Sequence, residues 1–138
     1  MDLLSGNRLH LLRNGSDYFP RLLESVEAAR REVWLETYIY QDDRVGRKVT
    51  KALCRAAGRG VAVHLLLDGF GTRDMPPALR REFLSAGVRL LVFRPKISPW
   101  TLRRQRLRRM HRKMASVDGN VAFVGDFDRV FRAVDTRN

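Results

Sequence analysis

The sequence predicts an α/β domain with a largely parallel sheet, and three observations carry that prediction. Strand-like and helix-like segments alternate along the chain. One of them, Val61 to Leu67 (VAVHLLL), is apolar nearly throughout, as strands covered on both faces tend to be. Near the end, Asp118-Gly119 separates two short runs in the manner of a hairpin turn.

Taken in order, Arg8 to Arg13 alternates as a short strand does, and Asn14-Gly15 breaks it before Ser16 or Asp17 caps a helix. Phe19, Leu22, Leu23, Val26 and Ala29 recur at helical spacing, with Pro20 tolerable in the first turn. Val33 to Tyr40 (VWLETYIY) is β-branched and aromatic and reads as a core strand. A second helix is predicted from about Val45 to Ala57, stopped by Gly58 and Gly60, and the VAVHLLL strand follows it. Asp68-Gly69-Phe70-Gly71 makes a turn. Pro76-Pro77 opens a third helix that ends at Gly87, and Val88 to Phe93 supplies another strand. Arg94 to Met110 has no clear period and reads as a long loop, a length that compact domains tend to reserve for function. His111 to Val117 and Asn120 to Val124 then form a hairpin.

The 138 residues suit one domain with a modest core. Cys54 is the only cysteine, which excludes an internal disulfide and points to a reducing compartment. No apolar run reaches the roughly 20 residues of a membrane span, and MDLLSGNRLHLLRNG lacks the apolar core of a signal peptide. The expected location is cytoplasmic, soluble or peripheral. Of 27 basic residues, ten fall in the acid-free stretch from Phe83 to Val117, and the remaining 17 almost balance all 15 acidic ones. Most of the net charge of +12 therefore belongs to one segment, whose partner should be an anion: phospholipid head groups, nucleic acid or a phosphorylated substrate.

Within HRKMASVDG, His111 and Lys113 are two apart, so on a strand they leave from the same face, about 7 Å apart. Asp118 has the opposite parity, which keeps its carboxylate out of their pocket and suits it to shaping the turn or pairing with a base. An imidazole beside an ammonium fits phosphoryl chemistry: the imidazole attacks phosphorus or carries protons near neutral pH, and the lysine offsets charge on a non-bridging oxygen. On spacing alone, the pair fits a site or a solvated strand equally well.

The pattern His111-x-Lys113-x4-Asp118, followed by Gly125, resembles the motif of the phospholipase D superfamily. Its setting, with LETYIYQDDRVGRKVTKAL, RGVAVHLLLDGFGT, SAGVRLLVF and RRMHRKM, is similar to the bacterial cardiolipin synthases from about Arg8 to Gly125. The resemblance implies half of a phospholipase D-like α/β/α sandwich with a mixed sheet and a terminal hairpin, as a first-motif domain over residues 1–125. It also implies metal-free transfer of a phosphatidyl or phosphodiester group through a phosphohistidine, with no cofactor. His111 would be the nucleophile, Lys113 the phosphate ligand and Asp118 the third motif residue. Two motifs act together in the family, the second imidazole protonating the leaving alcohol. The expected acceptor is phosphatidylglycerol or a related alcohol, and the expected place is the inner face of a bacterial membrane.

Departures accompany the likeness. After the glycine the family continues with a second Gly or Ser and then, one residue further on, an Asn, whereas this chain has Gly125-Asp126-Phe127-Asp128. Acidic groups there would repel an anionic substrate. Residues 126–138 read as a divergent tail, and no second His-x-Lys is present. The chain reads as truncated, with little turnover expected alone, either lacking a second half or pairing as a homodimer. The alternatives are a homodimeric nuclease of the same superfamily and a non-catalytic module for anionic lipid or nucleic acid.

Other chemistry-bearing residues have plainer readings. His10 and His64 lie in apolar surroundings as ordinary core or surface residues, and Glu36 inside VWLETYIY needs a partner, an arginine being favoured over a site residue. Asp42 and Asp43 are adjacent and point apart on an extended chain, which suits a solvated turn. Asp68-Gly69-Phe70-Gly71 needs nothing beyond a tight turn.

The basic segment interleaves Trp100, Leu102, Leu107 and Met110 with Arg103, Arg104, Arg106, Arg108, Arg109 and Arg112, a composition suited to an anionic bilayer surface. Each such cation contributes about 1 kcal/mol before screening. Replacing Arg103, Arg104, Arg106, Arg108 and Arg109 by Gln should release the chain from vesicles containing phosphatidylglycerol or cardiolipin. Unchanged co-sedimentation would refute that role.

Overall fold

The structure is a computed structural model that describes residues 6–93 and 113–125. The elements are α1 (Gly15–Ala28), β1 (Glu32–Thr37), α2 (Arg44–Gly58), β2 (Ala62–Asp68), α3 (Pro77–Ser85), β3 (Arg89–Phe93), β4 (Met114–Val117) and β5 (Val121–Val124). They build one five-stranded sheet in the order β3-β2-β1-β4-β5. The strands β1, β2 and β3 are parallel, while β4 runs antiparallel to β1 and β5 antiparallel to β4. The predicted α/β class and terminal hairpin are both present.

Local chemistry sets the boundaries. Asn14, rather than Ser16 or Asp17, caps α1, its side-chain oxygen accepting the Asp17 N–H at 3.3 Å. Asp43 caps α2 by accepting the Gly46 N–H at 2.7 Å. Gly60 and Gly87, with φ of +89° each, turn the chain out of α2 and α3 into the next strands. Two expected strands differ. Residues 7–13 form no strand, because their alternation buries little: Leu9 and Leu11 are 95% and 92% exposed, and only Leu12 packs on the core. The strand predicted to reach Tyr40 ends at Thr37, because Tyr40 leaves the sheet to pack under α2, where its hydroxyl meets Thr50 Oγ1 at 2.9 Å.

Val33 and Leu35 of β1 share a face with Val63, Leu65 and Leu67 of β2, Ala115 and Val117 of β4 and Phe123 of β5. Against that face pack Leu22 and Val26 of α1, Val49, Ala52, Leu53 and Ala56 of α2, and Leu79 and Phe83 of α3. Each fully buried side chain of this size contributes about 1.5–3 kcal/mol. Among the described residues the helices form one layer. The opposite face presents Trp34, Leu91, Met114 and Val124, with the Trp34 and His64 rings stacked at 3.7 Å. A second helical layer, as in the expected α/β/α sandwich, is not among the described residues.

One side chain joins the hairpin to the rest of the sheet. Asp118 sits at the β4–β5 turn with φ of +53°, and its carboxylate accepts the N–H groups of Arg30 at 2.9 Å, Arg31 at 2.8 Å and Glu32 at 3.0 Å. Its own N–H donates to the Glu32 carbonyl at 2.9 Å. The turn is thereby fastened to the entrance of β1, which sets β4 in register from Val33 opposite Val117 to Glu36 opposite Met114.

The Glu32, Arg30 and Arg31 N–H groups hold the Asp118 carboxyl below the usual carboxylate range. Its contribution to stability is thus complete above a pH of about 4 and is lost as pH falls through the lower folded-state value. Asp118→Asn keeps the left-handed backbone tolerable, removes the charge and turns one of the two accepting oxygens into an N–H donor. In urea unfolding followed against pH, the stability gap between wild type and Asp118→Asn should be widest near neutral pH and close in acid. A gap independent of pH would contradict this account.

Candidate functional site

In open α/β sheets, ligands gather at the carboxyl ends of the parallel strands. At that edge here lie the ends of β1, β2 and β3 and, because β4 is antiparallel, the beginning of β4. Lys113 immediately precedes β4. Continuing the register past Glu36 and Met114 sets it opposite Thr37. Lys113 is only 8% exposed and belongs to the buried parity of Ala115 and Val117. Its carbonyl accepts the Gly125 N–H at 3.2 Å, so Gly125 closes the hairpin beside it. A lysine buried to this extent is costly unless its ammonium is compensated, and such positions are common in sites that bind anions.

The two loops at this edge are held rigidly. Thr37 is buried, and its hydroxyl donates to the Ile39 carbonyl at 2.9 Å. Asp68, fully buried at the end of β2, accepts the Phe70 and Gly71 N–H groups at 2.9 and 3.3 Å, while Gly69 N–H donates to the Phe93 carbonyl at 2.8 Å. The Asp68-Gly69-Phe70-Gly71 turn therefore spends its backbone donors internally and offers no phosphate cradle. Its second glycine has a further reason: a Cβ on Gly71 would lie 2.0 Å from the Tyr38 carbonyl oxygen, so only glycine lets the β2–α3 loop meet the β1–α2 loop.

The structure separates the sequence candidates. Lys113 is at the strand edge, whereas Asp118 lies at the far end of β4, about 16 Å along the chain. His111 and the basic residues Arg103, Arg104, Arg106, Arg108, Arg109 and Arg112 lie outside the described residues, as do the rest of the expected 94–110 loop and the tail after Gly125. Asp42 and Asp43 do not form an acid pair: Asp43 caps α2 and Asp42 meets Arg47 at 3.4 Å. Glu36 stands opposite Met114 and makes no ion pair with a described residue, so the favoured arginine partner is absent there. His10 is exposed on the segment beside β5, and His64 is half-buried under Trp34. Sequence reading missed Thr37 and the Tyr38–Gly71 contact, for which a strand end followed by Gly-x-Gly is the only local signal. Among the described residues no three His, Cys, Asp or Glu side chains converge as a metal site would require, and no helix is long and apolar enough to cross a membrane.

Comparison with known proteins agrees with this architecture. A family model described as cardiolipin synthase, PLD-like domain, matches residues 22–136 and so runs past Gly125. Cardiolipin synthase B of Salmonella typhi is 42% identical over 120 residues, which cover 87% of this chain and 29% of that protein. Cardiolipin synthase B of Escherichia coli K12 is 38% identical over the same shares. The chain thus spans 29% of the length of either relative. Nuc from Salmonella typhimurium, a phospholipase D family member, shares the fold with a TM-score of 0.56 at 21% identity, over 78% of this chain and 62% of Nuc. A mixed sheet of this order, Lys113 and Asp118 at the two ends of its β4 strand and a match over most of the sequence together show that the chain belongs to the cardiolipin synthase family of phospholipase D-like domains.

Proposed function

We propose that this domain supplies the nucleophilic half of a phosphatidyl-transfer centre that makes cardiolipin from phosphatidylglycerol at the inner face of a bacterial membrane. The observation that carries this reading is a lysine of the family motif, Lys113, buried at the head of β4 on the ligand-binding edge of the sheet. In the proposed reaction the His111 imidazole attacks the phosphorus of one phosphatidylglycerol. The nitrogen–phosphorus bond forms as the bond to the glycerol head group breaks, and a second imidazole gives that glycerol its proton. The hydroxyl of another phosphatidylglycerol then returns a proton to that second imidazole and attacks the phosphohistidine, which frees His111 and leaves cardiolipin. Lys113 offsets the charge on the non-bridging oxygens throughout.

One imidazole cannot be unprotonated for attack and protonated for the leaving group in the same step, so the chemistry requires a second motif, from another half or a second copy. The reading is tested by mixing the chain with a domain bearing the second His-x-Lys of a cardiolipin synthase and measuring cardiolipin formation from phosphatidylglycerol. His111→Ala should abolish formation and Lys113→Ala lower it by about 10²–10³-fold. Cardiolipin formation that survives His111→Ala would overturn the assignment. Hydrolysis of DNA by the chain alone, lost in His111→Ala, would make it a nuclease instead.

A further inference from the structure

The described residues carry a second cationic feature, away from the motif. Helix α2, RVGRKVTKALCRAAG, contains no acidic residue, and Arg44, Lys48, Lys51 and Arg55 are all exposed. At 100° per residue these four fall within an arc of about 60°, so they form one straight row along the solvent face of the helix. The neighbouring carboxylates are already engaged elsewhere. Glu82 and Asp42 meet Arg47 on the flank at 2.8 and 3.4 Å, and Glu27 pairs with Arg55 and Arg59. Arg44, Lys48 and Lys51 make no ion pair with any described residue. Three cations that no described carboxylate compensates thus stand on a ridge about 10 Å long. Arg44, its first member, lies at the end of α2 that adjoins the strand edge carrying Lys113.

We propose that this α2 row is a docking surface for an anionic phospholipid bilayer, separate from the motif and from the basic segment before it. The inference rests on the lipid reading above. A convex ridge touches a plane along its whole length, and the row has cations but no aromatic side chain on which a nucleic-acid base would stack. The repulsion among three aligned like charges is relieved by a surface of fixed negative charge.

The experiment is co-sedimentation of the whole chain with vesicles of phosphatidylglycerol and phosphatidylcholine at low salt. Wild type is compared with the Arg44→Gln, Lys48→Gln, Lys51→Gln triple variant, and with a charge-matched control, Arg8→Gln, Arg13→Gln, Arg21→Gln. All substituted side chains are exposed, and equal thermal unfolding of the three proteins verifies the fold. The α2 variant should lose about tenfold in partition while the control keeps most of its binding, and the difference should shrink at high salt. Equal losses in both variants would reduce the effect to net charge and overturn the proposal. If wild type binds vesicles and the α2 variant binds equally well, the row has no docking role although the lipid reading stands. Absence of vesicle binding by wild type would remove the lipid reading itself, and the inference with it. Retention of duplex DNA that depends on the row, without vesicle binding, would reassign the row to nucleic acid.

Discussion

A single carboxylate decides where the candidate site can be. The hairpin β4–β5 is attached to the sheet through β1 alone, and nothing in the alternation of its short, apolar strands would prevent a slip by two residues. Asp118 removes that freedom. By accepting three consecutive N–H groups at the entrance of β1 it fixes one end of β4, and the four paired residues that follow carry the constraint to the other end, where Lys113 emerges. Carboxylates that accept several backbone N–H bonds are held ionised, so the clamp keeps its strength throughout the neutral range. On this view the third residue of the motif contributes geometry at one end of a strand, and the second contributes charge at the other.

The same division of labour runs through the edge of the sheet. Asp68 and Thr37 consume the local hydrogen bonds of the two loops, and the Gly71 backbone lies against Tyr38, so these loops form a fixed wall and take no phosphate with their own amides. In the proposed reading anion recognition falls to side chains. Lys113 is the described one, and His111 is proposed to share its face. On that reading a lysine held at this edge meets the substrate phosphate in place, which spares reorganisation during transfer. The proposed transfer needs a second imidazole as well.

Much of this was legible in the residues. Continuous apolarity in VAVHLLL marked an interior strand of the sheet, although its second face is only half-buried among the described residues, glycines at 60 and 87 marked the helix exits, and the Asp-Gly pair marked the hairpin. Failures arose where a local pattern was overruled by what lay around it. Alternation in residues 8–13 resembled a strand, but burial decides strand formation, and Leu9 and Leu11 had nothing to pack against. Tyr40 looked like the last residue of a strand because aromatic side chains favour sheets, yet its hydroxyl found Thr50 and the Gly46 carbonyl inside the helical layer. The partners of Asp118 lie 86 to 88 residues away, a separation that periodicity cannot span. The His-x-Lys spacing was readable at once because it is a pattern of near neighbours in sequence.

The central claim is that Asp118 sets the anion affinity of Lys113 from the far end of β4. The most direct measurement follows the Gly125 amide resonance, whose N–H donates to the Lys113 carbonyl, during titration with inorganic phosphate near neutral pH. It is made on wild type, Asp118→Asn, Lys113→Ala and the double variant, each under conditions where it is folded. Each single variant should weaken the response severalfold, and the double variant should be no weaker than Lys113→Ala, since both act through one ammonium. Phosphate affinity in Asp118→Asn equal to that of wild type would contradict the account.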